Sequence, residues 1–259
     1  MPDLVVVANR EPYAHERDAS GAVIVRRPAS GLVTGIEPLL RSCGGTWVAY
    51  GGGTADRECS DEAGRLAVPP GFPEYTLRRV WIDATTYARY YCGFANEALW
   101  PLCHIAHTQP AFRADDWAAY QSVNESFARA AVEEAQDGSL LLIQDYHFAL
   151  VPRLVRNSAP HIVSSFFWHI PWPNPDQFAI CPWKKPLLEG MTGADVIGFH
   201  TRQYCLSFLE TLQRNLECRV DLEQMSVVYR GHRTVVRPYP ISVEWPYPAA
   251  SRRSGAVNR

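Results

Sequence analysis

"IVSSFFWHIPWPNPDQF", Ile162–Phe178, joins two segments of opposite character. Its first seven residues form a short, mostly apolar run rich in β-branched and aromatic side chains, which reads as a buried strand. The strand ends in a polar histidine, His169. Three prolines follow within five positions, Pro171, Pro173 and Pro175. Proline fixes φ and lacks an N–H, so no regular element continues there. A stiff loop at the rim of a sheet would aim the histidine rather than leave it mobile.

The same pattern recurs on both sides of that stretch. "LVVVA" (Leu4–Ala8) is a continuous apolar run followed by Asn9 and Arg10. "LLLIQ" (Leu140–Gln144) is followed by Asp145, Tyr146 and His147, and "ADVIGF" (Ala194–Phe199) by His200. Further strands are predicted at "TWVAY" (Thr46–Tyr50) and "YTLRRVWI" (Tyr75–Ile82). Residues 11–30 are polar and irregular, with room for a small hairpin around "SGAVIV". Helices are predicted near Val33–Arg41, Phe148–Arg156, Lys185–Met191 and Arg202–Leu216. The clearest covers Asp115–Ala135, where Trp117, Tyr120, Val123, Phe127 and Ala131 recur at helical spacing. Alternating strands and helices predict an α/β fold, a Rossmann-like parallel sheet with flanking helices. Ligands of such sheets bind outside the carboxyl ends of the strands. Arg10, Asp145 and His169, with His200 beside them, are therefore expected in one cleft.

Each residue also has a plainer reading. Asp145 could cap the helix that follows it. His169 could be a core histidine with its hydrogen bonds met. Arg10 could pair with Glu11 at the surface. The pattern identifies a cleft, not a reaction. No P-loop, no Gly-x-Gly-x-x-Gly after the first strand and no Gly-x-Ser-x-Gly elbow is present, which disfavours those nucleotide sites and a Ser–His–Asp hydrolase. The glycines of "GGTWVAYGGG" read as turn residues.

The chain has 259 residues, 25 basic and 27 acidic, for a net charge of −2. That balance gives no sign of a nucleic-acid partner. No run of 18 apolar residues occurs, so no membrane span is expected. The N-terminus, "MPDLVVVANREPY", lacks the basic region of a signal peptide. Seven cysteines without a Cys-x-x-Cys argue for free thiols and a cytoplasmic location. Cys103, His104 and His107 in "PLCHIAH" match no zinc spacing, so no metal is expected.

Taken in order, "NR" (Asn9–Arg10), "SGLV" (Ser30–Val33), "YYCGFANEALWPLCH" (Tyr90–His104), "DYHFALVP" (Asp145–Pro152), "FFWHIPWPNPDQF" (Phe166–Phe178), "GADVIGFHT" (Gly193–Thr201) and "PYPISVEW" (Pro238–Trp245) resemble the amino-terminal half of the trehalose-6-phosphate synthase family. These are retaining GT-B glucosyltransferases. The resemblance runs from about Leu4 to Trp245. It implies an acceptor-side Rossmann-like domain over 1–245. It also implies a linker or tail over 246–259, leading toward a donor-binding domain in cis or in trans that lies beyond this chain. The implied reaction moves glucose from a nucleoside diphosphate glucose, such as UDP-glucose, to glucose 6-phosphate, without cofactor or metal.

Arg10 and Tyr91 match residues that hold the acceptor phosphate, and Asp145 one that holds the acceptor sugar. His169 matches the histidine at the reacting centre, near the donor sugar. Trp100 and Ile170 match residues that select one anomer of the acceptor. Ser30 and Gly31 stand where the family has a Gly-Gly pair beside the donor phosphates. Tyr50 replaces the second tryptophan of the family's Trp-x-x-Trp near the acceptor phosphate. "REPY" and "TWVAY" are also similar to glucosylglycerol-phosphate synthases, which would make glycerol 3-phosphate the acceptor. A cyclitol acceptor, a non-catalytic sugar-phosphate-binding module and a homo-oligomer stay open.

Overall fold

The computed structural model describes residues 3–240, so the tail expected at 246–259, and Trp245, lie outside the described residues. The chain opens with β1 (Leu4–Val7), the hairpin of β2 (Ala14–Arg17) and β3 (Val23–Arg26), and α1 (Gly31–Cys43). Then come β4 (Thr46–Tyr50), β5 (Arg65–Val68) and β6 (Tyr75–Val80). A helical stretch follows: α2 (Ala84–Tyr87), a π-helix (Ala88–Leu99) and α3 (Trp100–His104). After α4 (Ala114–Glu134) the alternation is regular: β7 (Leu140–Gln144), α5 (Val151–Ser158), β8 (Val163–Phe167), α6 (Pro175–Phe178), α7 (Lys184–Met191), β9 (Val196–Phe199) and α8 (Arg202–Asn215). Three strands complete the described chain: β10 (Arg219–Asp221), β11 (Ser226–Tyr229) and β12 (His232–Pro238).

One ten-stranded sheet runs in the order β10-β11-β12-β9-β8-β7-β1-β4-β6-β5. From β12 to β6 every pairing is parallel. The continuous apolar run of β1 has a direct cause. Val5 and Val7 enter a large core beneath α4, α5, α7 and α8, while Leu4, Val6 and Ala8 enter a smaller core with Val33 and Leu40 of α1. A central strand covered on both faces has no polar side to show. The chain first builds outward from β1 to β4 and β6, then returns through α4 to β7 on the other side of β1. That reversal is a topological switch point, where parallel sheets open a crevice.

The sheet is not wholly parallel, because β5, β10 and β11 pair antiparallel at its two edges. β5 and β10 are short and partly polar, with little buried face to impose an alternation, whereas β11, between β10 and β12, is mostly buried. The turn between β11 and β12 uses Arg230 and Gly231, both at positive φ, 49° and 79°. That is the geometry of a primed hairpin turn, reached without its usual Asn-Gly signature. Residues 84–104, for which no helix was expected, are helical because much of the segment winds as a π-helix, whose apolar spacing departs from 3.6. Gly51 is packed rather than merely turned: a Cβ there would lie 2.5 Å from the Trp81 ring.

Arg10 and Glu11 part company at the end of β1. Arg10 is exposed and donates to the Ala29 carbonyl oxygen at 3.2 Å. Glu11 is buried and accepts from Nε of the fully buried Arg79 at 2.8 Å, so the surface pairing of the two neighbours is not formed. Arg79 also bonds Asp56 at 2.9 Å, the Tyr13 carbonyl at 2.9 Å, Ser60 at 3.0 Å and His15 Nδ1 at 2.8 Å.

Candidate active site

The carboxyl ends of β9, β8, β7 and β1 lie side by side on one sheet edge. His200, His169, Asp145 and Arg10 follow them in turn. Asp145 adopts φ 77° and ψ 162°, a region almost reserved for glycine. Its carboxylate accepts from the backbone N–H of Tyr146 at 2.9 Å and of His169 at 3.3 Å. This joins the ends of β7 and β8 directly. It also caps the 3₁₀ turn Tyr146–Phe148, so the capping role of Asp145 is real and coexists with its place in the cleft.

The strained loop is held from behind by α4. Tyr120 donates from its hydroxyl to the Tyr146 carbonyl at 2.6 Å and accepts from the Ala149 N–H at 3.0 Å. Asn124 donates to the His147 carbonyl at 3.0 Å and accepts from the Leu150 N–H at 3.1 Å. These bonds fix backbone that neither strand nor helix pairs, which lets a non-glycine residue persist at such a φ.

The electrostatics follow from burial. Desolvation raises the Asp145 carboxyl to about 7, opposed by its two backbone hydrogen bonds. Desolvation lowers His169 to about 4, with His200 adding to the effect. His147 falls to about 3 through burial, with Arg10 and His169 contributing. Both imidazoles are therefore neutral at pH 7. His169 Nε2 lies 2.9 Å from Gln144 Oε1, so that nitrogen carries the proton and Nδ1 is left as an acceptor. His147 lies outside the set of site residues expected from the sequence. Its Nδ1 is 3.7 Å from Asp145, and its buried Nε2 has no partner among the described residues.

A cavity and a stack of aromatic rings lie at this edge. On the α1 side, over β7, β8 and β9, a cavity of about 740 Å³ is lined by Gly31 and Gly35 of α1 together with Gln144, Phe167, His169 and His200. Gly31 and His169 thus share one wall. Ser30 does not: its hydroxyl caps α1, accepting from Val33 N–H at 3.4 Å. On the other side stand Tyr50, Tyr91 and His147, in a stack of aromatic rings with Tyr87. Trp100 is 43% exposed and its ring lies on His104, 4.0 Å between centroids, while Ile170 is buried in the large core. Among the described residues no three His, Cys, Asp or Glu side chains are placed to share a metal ion. All seven cysteines are free thiols.

A family model described as glycosyltransferase family 20 matches residues 2–259. The chain belongs to glycosyltransferase family 20. Among family 20 relatives, the trehalose-6-phosphate synthase of Mycolicibacterium smegmatis is 37% identical over 249 residues, covering 93% of this chain and 48% of its own length. That of Mycolicibacterium vanbaalenii is 36% identical, at 93% and 50% coverage. An E. coli trehalose-6-phosphate protein solved with UDP-2-fluoro glucose superposes with a TM-score of 0.77 at 28% identity, covering 93% of this chain and 49% of its own. The chain spans about half the length of these family 20 proteins. Its fold is that of the amino-terminal Rossmann-like domain of a GT-B glycosyltransferase.

Proposed function

We propose that this chain is the acceptor-side domain, over 1–245, of a retaining glucosyltransferase, and that a second domain in cis or in trans supplies most of the donor site. The complete enzyme transfers glucose from a nucleoside diphosphate glucose to glucose 6-phosphate in the cytoplasm. The observation that carries the reading is the convergence at Asp145. A carboxyl in strained backbone accepts from the N–H of His169, whose side chain lines a cavity with Gly31, and it lies 3.7 Å from His147 at the end of the tyrosine stack. In this reading Arg10, Tyr91 and Tyr50 hold the acceptor phosphate, and Asp145 accepts from sugar hydroxyls. His169 Nδ1 accepts from the donor sugar, and the Gly31 backbone approaches the diphosphate. The exposed Trp100 shapes the anomer pocket once the second domain closes over it, with Ile170 acting on that wall from the core behind it.

The C1–O bond to the diphosphate breaks, a C1–O bond to the acceptor hydroxyl forms on the same face, and the hydroxyl proton passes to the leaving diphosphate. The protein contributes position and fixed dipoles rather than a nucleophile.

Calorimetric titration of the chain tests this reading, with glucose 6-phosphate, glycerol 3-phosphate and glucose. Glucose 6-phosphate should bind best. Arg10→Ala removes a charge-assisted bond worth about 1.5–3 kcal/mol, a loss of roughly ten- to hundredfold. Arg10→Lys should restore only part, since an ammonium cannot fork onto two phosphate oxygens. Equal binding by Arg10→Ala refutes the phosphate role. Preference for glycerol 3-phosphate moves the assignment to the glucosylglycerol branch. The chain alone should show no glucosyl transfer from UDP-glucose; robust turnover would overturn the two-domain reading.

A further inference from the structure

We infer that Tyr87, which matches none of the family's site residues considered above, is the positioning residue of the acceptor-phosphate subsite: it locks Tyr50, Tyr91 and the backbone before Arg10 into one wall. The inference rests on the acceptor reading just given and extends it to a residue outside that set. Its basis is a column of four rings. Tyr50 and Tyr87 stack with centroids 4.1 Å apart and planes at 18°. Tyr87 and Tyr91 follow at 5.2 Å and 11°, and Tyr91 and His147 at 5.2 Å and 6°. The column thus runs from the end of β4 to the turn beside Asp145. Both faces of the Tyr87 ring are covered, so the ring is a spacer rather than a ligand contact.

The hydroxyl of Tyr87 supplies the second link. It accepts from Asn9 Nδ2 at 3.4 Å, while Asn9 Oδ1 accepts from the Tyr90 hydroxyl at 3.1 Å. Both ends of the buried Asn9 carboxamide are thereby tied to the helical stretch that carries Tyr91. Arg10 follows directly, and its carbonyl is held by Trp47 Nε1 at 3.1 Å. Its guanidinium is left exposed at the rim. Tyr87 is therefore in contact with Tyr50, with Tyr91 and with the residue that sets where Arg10 begins. A phosphate monoester needs donors converging from separate elements, and this ring holds three such elements in register. The local winding permits it: Tyr87 sits where α2 passes into the π-helix, so Tyr87 and Tyr91 lie over one another, while Tyr90 turns into the core.

The test separates this role from general stability. Tyr87→Leu and Tyr87→Phe are titrated with glucose 6-phosphate and with glucose, and their unfolding midpoints in urea are measured. Tyr87→Leu removes three aromatic pairs, with Tyr50, Tyr90 and Tyr91, and should bind glucose 6-phosphate about tenfold more weakly, with glucose affinity within about twofold of the parent. Tyr87→Phe keeps the stack and should stay within about threefold of the parent for both compounds. In the parent, the Tyr87 ring protons should shift on addition of glucose 6-phosphate and not of glucose, a readout independent of whether the leucine variant folds. The inference is overturned if Tyr87→Leu keeps parental glucose 6-phosphate affinity, if it loses both compounds equally, or if the Tyr87 resonances do not move. A parent that binds neither compound overturns the acceptor reading itself, which distinguishes the two failures.

Discussion

Two polar clusters, around the fully buried Arg79 and around the half-buried Asp145, are built to opposite rules. Around Arg79 every guanidinium nitrogen has a protein partner, and a cation, two carboxyls and an imidazole are packed together out of water. Glu11 is raised to about 8 by burial, with Asp56 adding to the effect, so it holds its proton at pH 7. Around Asp145 the accounting is left open. The backbone is strained, a buried His147 nitrogen has no partner among the described residues, and that neutral imidazole lies 3.7 Å from a carboxyl with a pKa near neutrality. The lesson is that burial of charge alone does not mark a site. A fully satisfied cluster is scaffold, and a cluster with groups still to be paired is where a ligand completes the structure.

The largest effect that could break this distinction is Arg79→Met. It strands Asp56 and the Tyr13 carbonyl in the interior and should cost about 3–5 kcal/mol in urea unfolding. A loss under about 1 kcal/mol would show that the Arg79 cluster is not the scaffold described here. Asp145→Gly should act in the opposite direction. Glycine accepts φ 77° without strain, so stability should rise by up to about 1 kcal/mol while sugar-phosphate binding is lost. Destabilisation would mean that the two backbone hydrogen bonds to the carboxylate outweigh the strain.

The pH dependence sharpens the comparison further. Both carboxyls have folded pKa values above their unfolded ones, so each holds a proton that the unfolded chain has released. Their contributions to stability are full below the ordinary carboxylate range and decline as pH rises, to about 7 for Asp145 and about 8 for Glu11. Relative to the parent, Asp145→Asn should flatten the decline below pH 7 and leave it between pH 7 and 8. Glu11→Gln should flatten that last step as well. Urea midpoints measured from pH 5 to 8.5 would reveal the reverse order if the assignments are exchanged. The smallest effect is expected for His147→Phe, which keeps a ring against Tyr91 and removes an orphaned nitrogen. It should leave stability unchanged or raise it by under about 1 kcal/mol, and a clear loss would point to an unrecognised partner for His147.

Much of this was legible along the chain. The apolar runs Leu4–Ala8, Leu140–Gln144 and Ile162–Trp168 named the central strands, and the polar residues after them named the cleft, because ligands of a parallel sheet bind outside the carboxyl ends of its strands. Ser30 and Gly31 illustrate the limit. Adjacent in sequence, one caps a helix and the other lines the cavity, a division made by the direction in which α1 leaves its loop. The edge strands β5 and β10 were silent because strands with little buried surface need no hydrophobic alternation.

By itself the sequence determined the α/β class, the order of the central elements and the rim position of Arg10, Asp145 and His169, since these follow from periodicity and from where apolar runs stop. Only the tertiary structure decided that Tyr87 stacks between Tyr50 and Tyr91, that Tyr120 and Asn124 hold Asp145 in a glycine-like conformation, and that Glu11 turns away from Arg10 toward Arg79. Apart from the i,i+4 pair Tyr87–Tyr91, those contacts join residues tens of positions apart. Ring stacking and buried charge pairing depend on distance in space, and no local spacing rule encodes them.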